Sequence, residues 1–305
     1  MTRLAVLSDI HGNLLALDAV IRDMEALAEP VDQVIVAGDS INIGLQSVEV
    51  LDRIAALGWA AIRGNHEFYL LDHGTEREPA SRRDFTMPPW LSQTIPKHWK
   101  ARLAAFPDTL SLHYPDAPPV RVAHGVPGDP WRGVYPASFQ SDSEVAALLA
   151  GTLERTVILG HTHLPLKRRV ISANSEWQIY NPGSVGFAID GQPGTATYML
   201  LAGSLAGWRA DLRRVPFDLP TMLDALERID YVAAVGPVGR LLIEELRTGE
   251  LRVQPYSKWA HEQHPLTPMT LPFIAEFLAL DPAQIRSYML PQYQFEYERT
   301  ERALI

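Results

Sequence analysis

Leu4–Asn13 reads LAVLSDIHGN, an apolar run that stops abruptly at a carboxylate, an imidazole, a glycine and an amide. Leu14, Leu17, Ile21, Met24 and Leu27 follow at helical spacing, so the stretch predicts a buried strand feeding an amphipathic helix over Leu14–Leu27. Asn13 stands where that helix needs its N-cap. Gln33–Ala37 and Ala60–Arg63 repeat the apolar run, and Gln46–Leu57 repeats the helix between them. The N-terminal part therefore predicts β-α-β-α-β with parallel strands. Val120–Ala123 and Thr156–Leu159 add two more strands.

Each of these runs ends in a polar cluster. They are SDIHGN (Ser8–Asn13), GDSINIG (Gly38–Gly44), GNHE (Gly64–Glu67), AHG (Ala123–Gly125) and GHTH (Gly160–His163). Ligand sites of α/β sheets form outside the carboxyl ends of the strands, so five clusters converge on one site. Between them they supply Asp9, His11, Asp39, Asn65, His66, His124, His161 and His163, with five of the ten histidines in the chain. Any one of these residues taken singly reads as a helix cap or a turn. As a set, carboxylate, imidazole and amide oxygen without thiolate are donors for a hard to borderline divalent metal. Asp39 has two oxygens with which to bridge. Seven donors around it (Asp9, His11, Asp39, Asn65, His124, His161, His163) suit two ions about 3.5–4 Å apart, whereas one zinc ion takes three or four.

Bulk composition narrows the partners. The 305 residues are 47% hydrophobic and 21% charged, with a formal net charge of −9. An acidic chain repels polyanions, which argues against a nucleic-acid polymer and leaves a small phosphorylated substrate, drawn in by the metal's own charge. There is no cysteine, hence no disulfide framework. Met1 runs directly into Leu4–Leu7 without a charged leader, and no apolar stretch approaches the ~20 residues of a membrane span. The expectation is a cytoplasmic protein without a membrane partner; a homo-oligomer is left open.

After Trp177 the texture changes. Trp177–Tyr180, Thr195–Leu201 and Trp208–Val215 read as strands separated by Gly and Pro turns, predicting an antiparallel second layer of sheet. Leu219–Ile229 and Val238–Leu246 read as helices. His73–Lys97 and the proline-rich Arg252–Pro272 read as irregular, with a helix from Phe273.

The order and spelling of the five clusters resemble the calcineurin-like metallophosphoesterase superfamily, in particular its small bacterial and archaeal phosphoesterases. YNPGSVG at Tyr180–Gly186 also looks like that branch. The likeness spans roughly Leu4–Val215, and the helices to Gly249 fit it. It implies an α/β (α+β) fold of two mixed β-sheets packed as a sandwich flanked by helices. Residues 1–249 would form the catalytic domain and 250–305 a C-terminal extension packing on it. By the same resemblance, Asp9, His11, Asp39 and His163 hold one ion, and Asp39, Asn65, His124 and His161 the other. Mn, Fe, Zn, Co or Ni all suit such donors. His66 matches the family's catalytic histidine, expected to protonate the leaving alkoxide or stabilise its charge while a metal-activated water attacks. Asn42 stands where many relatives carry Asp, at a position that supports the site.

The activity expected is phosphate-ester hydrolysis, foremost of small phosphodiesters or nucleotides. A phosphoprotein phosphatase or phosphomonoesterase is the alternative, and a non-catalytic scaffold the reading from another class. Trp131 and Arg132, directly after a ligand cluster, are candidates for stacking a base and holding a second phosphate. Both read equally well as loop packing, as do Arg82, Arg83 and Tyr135. Asn13 is a candidate phosphate contact, second to its role as cap. His261 and His264 read as surface histidines.

Overall fold

The computed structural model describes residues 1–79, 85–173, 175–265 and 267–303. β1 (Arg3–Leu7), α1 (Leu14–Glu25), β2 (Gln33–Val36), α2 (Ser47–Ala56) and β3 (Ala60–Ala61) form the expected parallel β-α-β-α-β unit. β3 is shorter than the apolar run suggested: the Ile62 amide still reaches Val36 O, but the Arg63 amide turns to Pro107 O. Next come α3 (Asn65–Asp72), α4 (Met87–Thr94), α5 (Lys97–Ala105), β4 (Thr109–Tyr114), β5 (Ala117–Ala123), α6 (Asp142–Leu148) and β6 (Thr156–Ile158). β7 (Leu166–Ser172), β8 (Ser175–Asn181), β9 (Thr195–Ser204) and β10 (Gly207–Pro216) complete two mixed five-stranded sheets, ordered β10-β9-β1-β2-β3 and β4-β5-β6-β8-β7.

The second layer begins earlier than the sequence reading placed it, at β4. The Thr195–Leu201 and Trp208–Val215 runs belong instead to the first sheet, where β9 pairs antiparallel with β1 (Leu4↔Leu201, Val6↔Met199). Apolar alternation reports that a strand is buried but not which sheet it joins. Along β1, Leu4 and Val6 face the inter-sheet core with Ile35, Val120, Val122, Ile158 and Met199, while Ala5 and Leu7 face α1. That two-sided burial is why the run is continuously apolar.

Two segments read as irregular are in part helical. α4 carries Pro88 and Pro89 in its first turn. α10 (Val253–Gln263) carries Pro255 in its own. Proline is tolerated there because first-turn N–H groups have no intrahelical partner. The other C-terminal helices are α7 (Leu219–Arg228), α8 (Tyr231–Val235), α9 (Val238–Thr248), α11 (Leu271–Leu278), α12 (Pro282–Ser287) and α13 (Pro291–Ala303). Leu226, Leu241, Trp259, Ile274 and Phe277 form a helical core that also takes in Ile43, Leu164 and Phe187 from the strand-end loops. Among the described residues no helix is long and apolar enough to cross a membrane.

Candidate metal centre

The loops after β1 and β2 lie side by side. Asp9 N donates to Gly38 O (3.1 Å), His11 N to Asp39 O (2.9 Å) and Gly12 N to Ser40 O (3.0 Å), extending the strand ladder past the ends of the strands. On the other flank Val185 N and Gly186 N donate to Ser8 O and Asp9 O, and Ser184 Oγ donates to Asp9 O (2.8 Å). This gives YNPGSVG its structural function. Asn181 Nδ2 donates to Gly160 O (2.7 Å), so the same segment fixes the β1 loop and the GHTH loop together.

The resulting backbone is strained where the chemistry is. Asp9, His11, Asp39, His161 and His163 all have positive φ, between 50° and 68°. Left-handed backbone costs an L-residue roughly 1–2 kcal/mol, and such strain persists only where surrounding hydrogen bonds over-determine it. It turns five side chains inward from three separate loops.

All eight residues singled out in the strand-end clusters come together. His163 Nε2 lies 3.1 Å from Asp9 Oδ1 and 3.1 Å from His11 Nε2. His124 Nε2 lies 3.2 Å from Asp39 Oδ2 and 2.9 Å from Asn65 Oδ1, which also meets His161 Nδ1 at 2.9 Å. Asp39 Oδ2 faces both groups, at 3.8 Å from His11 Nε2. Metal–donor bonds of about 2.0–2.2 Å put neighbouring donors of one ion about 3–3.6 Å apart, so the spacings within each group are those of coordination edges and the 3.8 Å from Asp39 to His11 is slightly longer.

The hydrogen bonding fits a cation as well. His124 Nδ1 donates to Ala37 O (2.8 Å) and His163 Nδ1 to Phe187 O (2.6 Å). Fixing Nδ1–H this way aims the Nε2 lone pairs inward, the outer-sphere arrangement of metal-binding histidines. Lone pairs then face carboxylate oxygens, and the buried Asp9 Oδ1 has no hydrogen-bond partner. Such an array is repulsive until a proton or metal ion lies within it.

The electrostatics say the same. Burial would raise Asp9, but His163 and His124 override it and hold its carboxyl at about 2. Burial would likewise raise Asp39, yet His124 and His66 keep it well below the usual range. Burial opposes charge on His124, and Asp39 and Asp9 nonetheless push it up to about 10. His161 goes the other way, down to about 4, through burial and the neighbouring His124.

His66 differs from the others in exposure and partners. Its side chain is 19% exposed, at the rim, with Nε2 3.9 Å from Asp39 Oδ2. Asn42 Nδ2 stands 2.8 Å from His66 Nδ1, while Asn42 Oδ1 accepts from Ile43 N (2.8 Å). The amide thus presents its N–H₂ to Nδ1 and leaves the imidazole proton on Nε2. Burial lowers the His66 pKa, the charge of His163 and His124 adding to it. Asn42 is therefore the direct partner of this histidine.

Glu67, quoted in the GNHE cluster without a role, is fully buried. Its Oε2 accepts from Asp39 N (3.0 Å) and Gly64 N (2.7 Å), and Oε1 from Ser40 N (2.8 Å). It clamps the Asp39 loop to the start of α3. Burial and the Asp39 charge push its carboxyl up to about 7. Its signal was the spacing Gly64-x-x-Glu67, that of a capping box. Gly64 itself leaves no room for a side chain: a Cβ there would overlap Asp39 Oδ1 and lie 2.6 Å from Asp39 N.

The candidate substrate contacts are more dispersed. Asn13 is buried, accepting from Ala16 N (3.0 Å) as the cap of α1 and donating to Gly186 O (2.9 Å). Trp131 packs near Phe68, ring centroids 5.5 Å apart, beside a cavity of about 210 Å³ that reaches His124. Arg132 pairs with Asp129 (3.6 Å) in an exposed position. Tyr135 packs against Tyr293 of α13. Arg82 and Arg83 lie outside the described residues.

A second cavity, about 290 Å³, opens onto the His11, His66 and His163 side of the site and is walled largely by apolar and aromatic side chains. Much of that wall comes from α9 and α10, which the sequence reading did not connect to the site. α13 reaches the site too: Tyr293 Oη donates to Thr162 O (2.9 Å), between His161 and His163, and Tyr297 Oη donates to Ile189 O (3.0 Å).

Residues 2–203 match the model of the calcineurin-like phosphoesterase superfamily domain. An uncharacterized protein of Methanocaldococcus jannaschii is 25% identical over 205 residues, 62% of this chain and 78% of its own length. The crystal structure of a metallophosphoesterase from Sphaerobacter thermophilus superposes with a TM-score of 0.62 at 24% identity, covering 81% of this chain and 100% of its own. A hypothetical protein from Pyrococcus horikoshii OT3 gives a TM-score of 0.65 at 18% identity, covering 83% and 100%. At these identities the two structures speak for the fold.

Proposed function

The chain belongs to the calcineurin-like phosphoesterase superfamily, and from that premise we propose a cytoplasmic hydrolase of phosphate esters that works with two divalent metal ions. The observation that carries the proposal is the pair of donor groups meeting at Asp39 Oδ2, which faces His11 and His124 alike. Asp9, His11, Asp39 and His163 would hold one ion, and Asp39, Asn65, His124 and His161 the other. Bound there, the ions supply activation of the attacking water and neutralise the phosphoryl oxygens. The protein's part is positioning, which phosphoryl transfer needs most. Loops fixed by hydrogen bonds to Ala37, Phe187 and Asp9 hold the donors in place. His66, with Nδ1 turned to Asn42, keeps its proton on Nε2 at the rim and donates it as a hydrogen bond to the departing oxygen, stabilising the charge that develops there.

Within that class the reading favours small phosphodiesters or nucleotides over phosphoproteins. A cavity of about 290 Å³ beside the donors is at the lower end of small-molecule sites, roughly 300–1,000 Å³, and takes a compact group better than a peptide segment. The test is hydrolysis of p-nitrophenyl phosphate and bis-p-nitrophenyl phosphate by metal-stripped protein reloaded with Mn²⁺, Ni²⁺ or Zn²⁺, with metal content measured alongside. Metal-dependent cleavage, faster for the diester, is the expected result. Cleavage faster for the monoester would refute the diester preference and keep the enzyme. No cleavage and no bound metal would refute the hydrolase and revive the scaffold.

A further inference from the structure

The cavity beside His11, His66 and His163 has a composition that selects what can enter it. One side is aromatic: His66 stacks edge-on with Tyr69 (5.1 Å) and Tyr69 with Phe85 (5.5 Å). Phe187 faces His11 and His163 from the other side, 5.7 Å from each ring. Leu242 of α9 and Val253 of α10 close the far wall. No lysine or arginine is among the described residues that line it, so none of these side chains would hold a second phosphate or a carboxylate. The charged side chain that does line it, apart from the histidines, is Glu245, which is buried and accepts from Arg252 N (2.7 Å) and Val253 N (2.8 Å). These bonds join the end of α9 to the start of α10. α9 and α10 both lie beyond residue 203, where the family match ends, so this wall belongs to the chain's own C-terminal part.

We propose that this cavity seats the organic group of the substrate, and that the group is a compact, uncharged, ring-bearing moiety without a second anionic centre. The inference rests on the phosphoesterase reading above. An aromatic ring entering between Tyr69, Phe85 and Phe187 finds edge and face partners on both sides. An anionic group reaching the Glu245 end of the cavity would meet that carboxylate in a low-dielectric surround, with no lysine or arginine among the described lining residues to balance it. His66 opens onto this cavity, so an ester whose organic group sits here presents its leaving oxygen to the imidazole.

The test separates the cavity from the chemistry. Binding of 1-naphthol and of 1-naphthoate is measured by calorimetry, with the metal centre saturated by inorganic phosphate, on the full-length wild type, Val253→Trp and Glu245→Gln, and hydrolysis of 1-naphthyl phosphate is measured on the same metal-loaded proteins. Val253 is half-buried at the edge of the helical core and lines the cavity, so a larger side chain there extends into the cavity. Gln at 245 keeps an oxygen for both backbone donors. Wild type is expected to bind naphthol at least about tenfold more tightly than naphthoate. Val253→Trp is expected to lose about tenfold in naphthol affinity and in kcat/KM for the naphthyl ester, with inhibition by inorganic phosphate unchanged. Glu245→Gln is expected to narrow the gap between naphthol and naphthoate. Equal naphthol binding by wild type and Val253→Trp would overturn the inference, as would naphthoate binding as tightly as naphthol. If naphthol binds as expected but metal-loaded protein hydrolyses no ester, the phosphoesterase reading falls and takes with it the identity of the bound group as part of a substrate.

Discussion

Replacing Gly64 with alanine adds one methyl group, deletes no donor, and should disable the centre. The added Cβ would overlap Asp39 Oδ1 and lie 2.8 Å from Asp39 Cγ, so the carboxylate has to retreat by about 1 Å to reach ordinary contact distance. Gly64 has an unremarkable φ of −107°, which alanine adopts freely; the effect comes from the contact of the added Cβ, which also lies 2.6 Å from Asp39 N and so shifts the Asp39 backbone together with its carboxylate. Retreat also stretches the bond from His66 N to Asp39 Oδ1, now 2.8 Å, at a cost of about 1–3 kcal/mol in stability. A misplacement of about 1 Å is enough to cost some hundredfold in rate, equivalent to about 2.7 kcal/mol of transition-state stabilisation. Asp39 faces both donor groups, so one displacement loosens both. The assay is kcat/KM for p-nitrophenyl phosphate after reloading, with metal content and thermal unfolding measured on the same preparation. Asp39→Asn, which conserves volume, serves as the comparison if Gly64→Ala unfolds. A folded Gly64→Ala protein that binds two ions and turns over within about threefold of wild type would refute the central place given to Asp39.

Other outcomes follow from the same geometry. His66→Ala is expected to keep its metal content while kcat falls about a hundredfold, the usual scale for removing one hydrogen-bond donor to a developing oxyanion, most severely for poor leaving groups; loss of metal would reassign His66 as a ligand. Tyr293→Phe removes the hydroxyl that donates to Thr162 O and should cost about 1 kcal/mol in urea unfolding, with faster loss of metal to a chelator. The Arg213 guanidinium, hydrogen-bonded to Asp23, holds that carboxyl below its ordinary 3.8. A depressed carboxylate stabilises the fold above its unfolded pKa and ceases to as pH falls through the folded one. The stability difference between wild type and Asp23→Asn, followed by thermal melts, should therefore hold steady above about pH 4 and shrink below it.

The donor cluster was legible in the sequence because chemistry and topology coincide there. A strand buried on both faces must be apolar, so the point where Leu4–Leu7 gives way to Asp9 and His11 marks both the strand end and the site. The roles of Glu67 and Asn42 were less legible. Their contacts run to Asp39 and His66 across loops, and a buried glutamate bonded to three backbone amides reads in sequence as one more acidic residue in a helix turn. Sheet membership was hidden for a different reason. β9 is as apolar as any inner strand, and only its pairing with β1 shows that it returns to the first sheet. The cavity wall was out of reach, since α9 and α10 meet the site through tertiary packing and the proline and aromatics of α10 carried a loop-like texture.

The left-handed backbone at Asp9, His11, Asp39, His161 and His163 sets a direction for evolutionary drift. At roughly 1 kcal/mol each, the five positions together cost an amount comparable with the net stability of a whole domain, about 5–15 kcal/mol. Glycine relieves that strain and asparagine tolerates it, yet glycine supplies no metal donor. On the proposed reading, selection for metal binding and turnover is what would keep the costly residues in place. A descendant released from that selection gains stability with its first inactivating substitutions, so the road from enzyme to inert scaffold on this fold runs downhill.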